Sequence, residues 1–404
     1  MFKNKKFLGT AFIIVILFLL AVSLLTMASV SYPIVPKGQS DFYYLYKQML
    51  WMIGGLACFS FAAMMNYKRY KEIKIFSALY IIGIIGLIAV LLFGSKSKGA
   101  VRWIDLLGFR IQPSEFSKLI IIIVVSVLVE RLKIQPSEFA KLIIIITVAV
   151  LIDRLKNKNM IATKPWISAL IILGVTGVYS FLIFAEKSYT SMIQVAAIGI
   201  LMLFISGINL PIFSIISLFL VILGNILLMR DKYRVDRIEG HKNTQVIPFQ
   251  VQQSLIAIGS GKLTGRGYGN GFQKYKFLPE IHTDYILSGF AEENGFIGVL
   301  FLILVYVFLL AIILMVAFKI KDMFAKYLLI GIFVMFATQI LGNITVATNM
   351  LPSTGISLPL MSYGGSSIFV SMFALGIVYN VIRALYKQEM GGELDEINEV
   401  EYMM

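Results

Sequence analysis

Cysteine is almost absent from this 404-residue chain: Cys58 stands alone, inside an apolar run. A single thiol makes neither a disulfide framework nor a thiolate metal site. Histidine is as scarce, with only His241 and His282, which excludes a histidine zinc cage. Charged residues make up 14% of the chain and hydrophobic ones 58%, against about 25% and about 45–50% in a soluble domain. The shortage of charge excludes a soluble enzyme, a disordered chain and a fibrous one. What is there instead is a series of apolar runs, most of them close to the ~20 residues that cross a bilayer as a helix.

The runs fall near 7–30, 46–65, 75–93, 115–131, 166–184, 189–206, 210–229, 296–318, 327–347 and 367–385. The first has 24 residues behind Lys3, Lys5 and Lys6, longer than the roughly 7–15 of a secretory signal core. It is predicted to be an uncleaved anchor with its N-terminus in the cytoplasm. The net charge of +14 lies mostly between the runs, where the positive-inside rule accounts for it. Nucleic-acid binding would need a folded domain outside the membrane, and none is evident. Alternation from a cytoplasmic start puts Lys68, Arg69, Lys71 and Lys74 inside, with Arg154, Lys156, Lys158, Lys319, Lys321 and Lys326. The expected fold is therefore all-α and polytopic, with about ten transmembrane helices. Residues 1–386 form one membrane domain, 230–295 a large extracytoplasmic loop between spans seven and eight, and 387–404 an acidic cytoplasmic tail.

A tandem repeat complicates the count. Residues 111–133, IQPSEFSKLIIIIVVSVLVERLK, recur without a gap at 134–156 as IQPSEFAKLIIIITVAVLIDRLK. If both copies spanned, every later loop would change sides and the basic 319–326 loop would face out. Ten spans with one copy displaced, as a short, tilted or interfacial helix, keeps the charges inside. Two outer segments remain basic: 94–112, with Lys96, Lys98, Arg102 and Arg110, and the large loop, with Lys262 and Arg266 among nine basic residues. Cations beside the outer leaflet suit an anionic headgroup such as a phosphate or pyrophosphate.

Several patterns fail on inspection. AIGSGKLTG lacks the first glycine of a P-loop, having Ile256 there, and has Leu263 where Ser or Thr should follow Lys262. GRGYGNG, 265–271, is either a turn using positive φ or a backbone cradle for a headgroup. His282 and Asp284, two residues apart, cannot face each other on a helix, which argues against a catalytic triad. What survives lies at the membrane edge, where ionisable groups are costly. Glu115 and Lys118, at i and i+3 behind Pro113, make either a local ion pair or the wall of a polar cavity. Trp103 is either an interfacial anchor or part of that wall. In LPEIHTDYILSGFAEENGFIG, 278–298, Asp284 is a general base, a ligand for a divalent cation or a solvated helix cap. In LPSTGISLPLMSYGGSSIF, 351–369, prolines and glycines argue against a continuous helix. The segment is then either an outer loop or irregular backbone that offers Ser362, Ser366 and Ser367 to a cavity.

Together these motifs resemble the SEDS family (shape, elongation, division, sporulation) of RodA-, FtsW- and SpoVE-like proteins. The likeness runs through GAVRWIDLLGFRIQPSEFSK, QVQQSLIAIGSGKLTGRGYGNGFQKYKFLPEIHTDYI, AEENGFIG and LPSTGISLPLMSYGGSS. It implies a ten-span peptidoglycan glycosyltransferase of the bacterial cytoplasmic membrane, with both termini cytoplasmic. Such an enzyme polymerises lipid II into undecaprenyl-pyrophosphate-linked glycan with inversion, beside a class B penicillin-binding protein. The family's essential acid, in its LPExHTDFIF motif, maps onto Asp284, and its RW and QPSE motifs map onto Trp103 and Gln112. The candidate substrate-binding residues are Arg102, Trp103, Arg110, Gln112, Glu115, Lys118, Lys262, Arg266, His282, Ser362 and Ser366. A magnesium or manganese ion is an admissible cofactor; nucleotide, haem and zinc are not expected. The chain departs from the family at 185–192, AEKSYTSM in place of a Pro-Asp turn, and in having a second QPSE helix, whose Gln135, Glu138 and Lys141 compete for the native seat. Trp103 and Arg110 precede the first copy at the usual spacing, which favours that one. A second reading, a transporter that moves the lipid-linked precursor between leaflets, also fits ten spans.

Overall fold

The computed structural model describes residues 5–35, 38–97, 100–104, 136–186, 188–215, 218, 248–275, 277–352 and 355–403. The protein is helical. Helix α1 (Lys5–Ser31) is followed by α2 (Tyr43–Met64) and α3 (Ile73–Phe93), then by a hairpin of β1 (Gly94–Ser97) and β2 (Ala100–Ile104). Next come α4 (Pro136–Asn157), α5 (Pro165–Ala185), α6 (Tyr189–Ile205) and the short α7 (Phe249–Ser260). The chain ends with α8 (Ile286–Lys319), α9 (Met323–Ala347) and α10 (Gly365–Met403).

Five helical stretches among the described residues are long and apolar enough to cross a membrane: Phe7–Ile34, Pro165–Ala185, Ile286–Lys319, Met323–Ala347 and Gly365–Tyr386. Ser77–Ile88 and Thr190–Ile205 are shorter apolar stretches. The expected spans at 115–131 and, for most of its length, 210–229 lie outside the described residues. Two boundaries differ from expectation. The helix predicted from 296 starts ten residues earlier, at Ile286, because Gly295 breaks it without ending it. The acidic tail continues α10 as helix to Met403, in keeping with its leucine, methionine and glutamate content.

Helix α4 is the hub. It packs on α3, α5, α6, α9 and α10, and Ala140, Ile144, Ile145, Val148, Ala149, Val150 and Ile152 are all fully buried. A helix apolar all round belongs in the middle of a bundle, and this one is the second copy of the repeat. Its neighbour α10 makes its broadest contact with α2. There a Cβ on Gly376 would lie 2.4 Å from the Phe59 carbonyl oxygen; small residues allow such backbone approach between membrane helices.

The bundle has two chemically distinct ends. At one, Lys71 pairs with Asp153 at 2.6 Å, and the Lys156 ammonium sits 5.3 Å from the centre of the Tyr327 ring. Asn380 accepts from the Tyr67 amide and donates to the Ala63 carbonyl. The basic segments 66–74, 153–158 and 319–326 thus gather there. At the other end Val30, Ala257, Leu278, Ile281, Tyr285 and Val346 form a small separate apolar cluster. That cluster carries the site.

Candidate active site

The turn before α8 alternates in burial. Leu278, Ile281 and Tyr285 are buried in the small cluster, while His282, Thr283 and Asp284 are half-exposed. Glu280 occupies the left-handed region at φ 56°, a conformation few non-glycine residues adopt without strain. Its carbonyl accepts from the amides of Thr283 and Tyr285, which closes the turn and presents Asp284 at its end.

Three neighbours fix that turn through its main chain. Asn343 of α9 donates from Nδ2 to the Asp284 carbonyl at 2.8 Å and to the Ile356 carbonyl at 2.7 Å. Ser362 donates to the Thr283 carbonyl at 2.7 Å and accepts from the Leu358 amide at 2.8 Å. The Tyr363 amide donates to the His282 carbonyl at 2.9 Å. The irregular 355–364 segment is thereby stitched to the Asp284 turn, and α1 and α2 hold it from behind. Gln48 donates to Ser23 and to the Ser362 carbonyl, and Ser23 to the Met361 carbonyl. The Asp284 carboxylate faces Gly355, at φ 72°, where an added Cβ would sit 3.3 Å from Oδ2. Close approach and backbone conformation both call for glycine there.

Beside Asp284 the rings of Tyr44, His282 and Tyr363 meet. His282 lies 4.8 Å from Tyr44 and 5.6 Å from Tyr363, centroid to centroid, and the two tyrosines meet edge-on at 5.2 Å. Burial pushes the Tyr363 phenol above its ordinary pKa. One turn along α2 from Tyr43, Lys47 reaches the Tyr43 hydroxyl and sits 4.3 Å from its ring centre. Ile34, Tyr44, Leu278, Pro279, Glu280 and His282 line an open hollow of about 290 Å³.

A second structure supports the first. At Gly295 (φ 67°, ψ −170°) α8 leaves helical geometry, and its orphaned backbone groups are met by the preceding loop. The amides of Arg266 and Gly267 donate to the Glu292 and Glu293 carbonyls, and those of Phe296 and Ile297 to the Lys262 and Leu263 carbonyls. Irregular backbone at membrane depth is tolerated when protein satisfies it in this way. The packing leaves no room for a side chain: a Cβ on Gly295 would lie 2.2 Å from the Gly265 nitrogen. The two carboxylates then organise the glycine-rich turn. Glu292 accepts from the Phe272 and Gln273 amides. Glu293 accepts from Ser29 at 2.5 Å and pairs with buried Lys274 at 3.0 Å. Lys274 also donates to the Gly269 carbonyl. Gly265, Gly267 and Gly269 all have positive φ, so GRGYGNG is a turn that uses glycine's freedom. A wider hollow of about 440 Å³ opens over it, lined by Arg266, Asn270, Phe272 and Tyr275 with Gly269 and Gly271.

The structure brings together Asp284, His282 and Ser362, while Ser366 is buried at the start of α10. Ser362 braces the turn with its hydroxyl. Lys262 and Arg266 stand exposed on the loop packed against α8, and the Arg266 guanidinium lies over Phe272 at 4.8 Å. Arg102 and Trp103 lie on β2. Arg110, Gln112, Glu115 and Lys118 lie outside the described residues. The ion pair expected of Glu115 and Lys118 is formed by their repeats: Lys141 meets Glu138 at 2.6 Å, with Lys141 only 1% exposed. The second copy is thus seated in the bundle; the first, which the spacing of Trp103 and Arg110 favours, lies outside the described residues. Asn343, Gln48, Tyr44 and Lys274 carry the site and were missed. For Gln48 and Asn343 the available signal is an amide inside an apolar run, since polar groups in spans are expensive and usually employed. Among the described residues no three carboxylate, imidazole or thiol groups gather to hold a metal ion. A magnesium or manganese ion would have isolated carboxylates and a substrate's phosphate oxygens to bind, a common arrangement for magnesium.

Comparison with known proteins gives concordant results. The family model described as cell cycle protein, of the FtsW, RodA and SpoVE type, matches residues 9–132 and again 127–387. Each piece carries one copy of the repeated helix. A probable peptidoglycan glycosyltransferase FtsW of Geobacter sp. (strain M18) is 32% identical over 352 residues, covering 85% of this chain and 88% of that protein. Its counterpart from Trichlorobacter lovleyi is 30% identical over 357 residues, covering 87% and 86%. Among solved structures, a chain of a peptidoglycan synthase complex that coordinates polymerization and crosslinking aligns with a TM-score of 0.68, at 23% identity, covering 93% of this chain and 97% of its own. The rod shape determining protein RodA of Thermus thermophilus aligns with a TM-score of 0.63, at 23% identity, covering 93% and 96%.

Proposed function

The chain belongs to the FtsW/RodA/SpoVE family of cell cycle proteins and is a peptidoglycan glycosyltransferase, and from that premise we propose that it polymerises lipid II at the outer face of the cytoplasmic membrane with Asp284 as general base. The observation that carries the reading is the setting of Asp284. Its main chain is held by Asn343, the neighbouring carbonyl by Ser362, and its carboxylate faces Gly355. All of this lies at the end of the bundle away from the basic loops. The positive-inside rule puts those loops, and both termini, in the cytoplasm.

A sugar hydroxyl is a weak nucleophile. In the proposed step the Asp284 carboxylate takes the acceptor hydroxyl's proton as that oxygen attacks the donor's anomeric carbon. The bond from that carbon to the pyrophosphate oxygen breaks on the opposite face, so the configuration inverts. The departing pyrophosphate carries away the electron pair, and cations such as Lys262 and Arg266 stabilise its charge. A divalent cation, when bound, would add charge neutralisation at the same phosphates, held chiefly by the phosphate oxygens. A class B penicillin-binding protein is the proposed partner, because cross-linking must follow polymerisation; the solved complex that shares this fold coordinates the two activities.

Polymerisation of lipid II by the purified chain, read as glycan ladders, tests the assignment. Replacing Asp284 by Asn should reduce the rate by about 10²–10⁴-fold, the usual worth of a positioned base, without lowering the melting temperature. An Asp284→Asn chain that polymerised at the parent rate would remove the base from the mechanism. Headgroup translocation in proteoliposomes without any polymer would favour a transporter instead.

A further inference from the structure

By its charge the segment after α2 is an ordinary cytoplasmic loop, yet it does not stay at the surface. Its short helical turn, Tyr67–Lys71, packs on α3, α4, α9 and α10, and Tyr67 and Tyr70 are fully buried. The Tyr70 ring meets that of Phe373 on α10, with centroids 6.3 Å apart. Phe373 stands thirteen residues before Tyr386, where that apolar stretch ends, which is about 20 Å at 1.5 Å per residue. The turn is thus folded back into the bundle. Asn380 accepts from the Tyr67 amide, the Asn66 side chain accepts from the Lys68 amide, and Lys71 pairs with buried Asp153 at 2.6 Å.

What lies on the other side of the bundle gives this turn a task. Towards the outer end, Ser137 and Glu138 of α4, Gln48 of α2, and Gln339 and Asn343 of α9 are all more than nine-tenths buried. Each carries a side-chain oxygen that no described residue satisfies. Buried polar groups of this kind are normally met by water, so the outer half is built to be wet. An apolar layer follows. Ile144, Ile145 and Val148 of α4 and Leu328 and Ile332 of α9 are completely buried. There α4, α6 and α9 close on one another: a Cβ on Gly331 would lie 2.5 Å from Ile145 and 2.9 Å from Met202. An apolar constriction excludes water and ions by dewetting only while it stays narrow, and the tyrosine-bearing turn packs against the same helices on the cytoplasmic side.

We propose that the 66–72 turn is a permeability plug: Tyr67 and Tyr70, seated among α4, α9 and α10 and pinned by the Lys71–Asp153 pair, close the cytoplasmic end of a hydrated bundle to protons and small ions. The inference is independent of the role given to Asp284. Alternating access through this end would require the turn to leave its seat.

The test uses the purified full chain in proteoliposomes that hold a pH-sensitive dye, with a potassium gradient and valinomycin to drive protons inward. Parent vesicles should be as tight as protein-free ones. Tyr70→Ala should raise the proton leak at least about tenfold, the effect of lowering a barrier by about 1.4 kcal/mol. Asp153→Asn, which keeps the volume but releases Lys71, should raise it in the same direction and carries the test if the alanine variant does not fold. Tyr70→Phe should stay tight: the Tyr70 hydroxyl has no partner among the described residues, so the ring is what seals. Tyr179→Ala removes an equally buried ring on α5, where its hydroxyl reaches the Tyr80 carbonyl of α3; it controls for lost packing and should also stay tight. If folded Tyr70→Ala and Asp153→Asn chains leak no more than the parent, or Tyr179→Ala leaks as much as they do, the plug is overturned. If the parent itself leaks to the same extent, it is overturned as well. An Asp284→Asn chain that polymerised at the parent rate would remove the base and leave this inference standing.

Discussion

At the scale of single residues, the site depends on a polar side chain that never touches solvent. Asn343 is fully buried in α9, and its one amide nitrogen satisfies the carbonyls of Asp284 and Ile356. Replacing it by leucine keeps the volume and leaves both carbonyls bare, at a cost of about 1–3 kcal/mol for each unsatisfied group. Asn343→Leu should therefore lower the melting temperature in detergent and slow polymerisation, since the Asp284 turn loses its tether. Unchanged stability and rate together would show that the tether does not matter. Asp284 was legible in the sequence because a carboxylate before an apolar span demands a reason. Asn343 stood out less, because two amides, Gln339 and Asn343, in a span of 21 apolar-rich residues do not disturb the periodicity, and its partners lie 59 and 13 residues away. The Lys274–Glu293–Ser29 contact was hidden for the same reason, its serine being 264 residues from Glu293. Long-range pairing of this kind leaves no local pattern.

At the scale of helices, the repeat poses a question that motif spacing alone does not decide. Trp103 and Arg110 precede the first copy at the family's spacing, but the second copy fills the hub, with its Glu138–Lys141 pair buried. Two copies that differ at so few positions have nearly equal propensity and hydrophobicity, and among the described residues it is the second that packs against α3, α5, α6, α9 and α10. A buried ion pair that loses one partner costs about 3–5 kcal/mol, because the remaining charge stays in a low-dielectric setting. Glu138→Gln should therefore cost much of the chain's stability and activity, whereas Glu115→Gln should cost little, because the hub seat accepts one helix. Melting curves and glycan yield for the two variants decide it; equal losses would mean that both copies are seated in working positions. The break in α8 was another matter of packing. The sequence offered an apolar run from 296 and acids before it, and nothing in that order announces that the 261–267 loop will supply the hydrogen bonds that a helix interrupted at Gly295 lacks.

At the scale of the whole molecule, composition alone decided the class, since a chain with 14% charge and 58% hydrophobic residues has to face lipid. Which end faces which compartment follows from charge. Lys68, Arg69, Lys71, Lys156, Lys319 and Lys321 cluster at one end, and Asp284, His282 and the glycine-rich turn lie at the other. Lipid-linked sugars are assembled into wall outside the membrane, so the proposed chemistry requires the second end to be extracytoplasmic. The single native thiol makes this directly testable. With Cys58→Ser as the starting chain, Asn270→Cys and Lys321→Cys each place one reporter thiol at an exposed position on opposite ends. A membrane-impermeant maleimide applied to spheroplasts should label the Asn270→Cys chain at once and the Lys321→Cys chain only after permeabilisation. The reverse pattern would put Asp284 in the cytoplasm, where polymerisation at the outer face is impossible. Labelling of both from outside would place the two ends in one compartment, which a bundle of spanning helices cannot satisfy. The expected result would tie the cation clusters, the broken helix and the base to a single orientation in the bilayer.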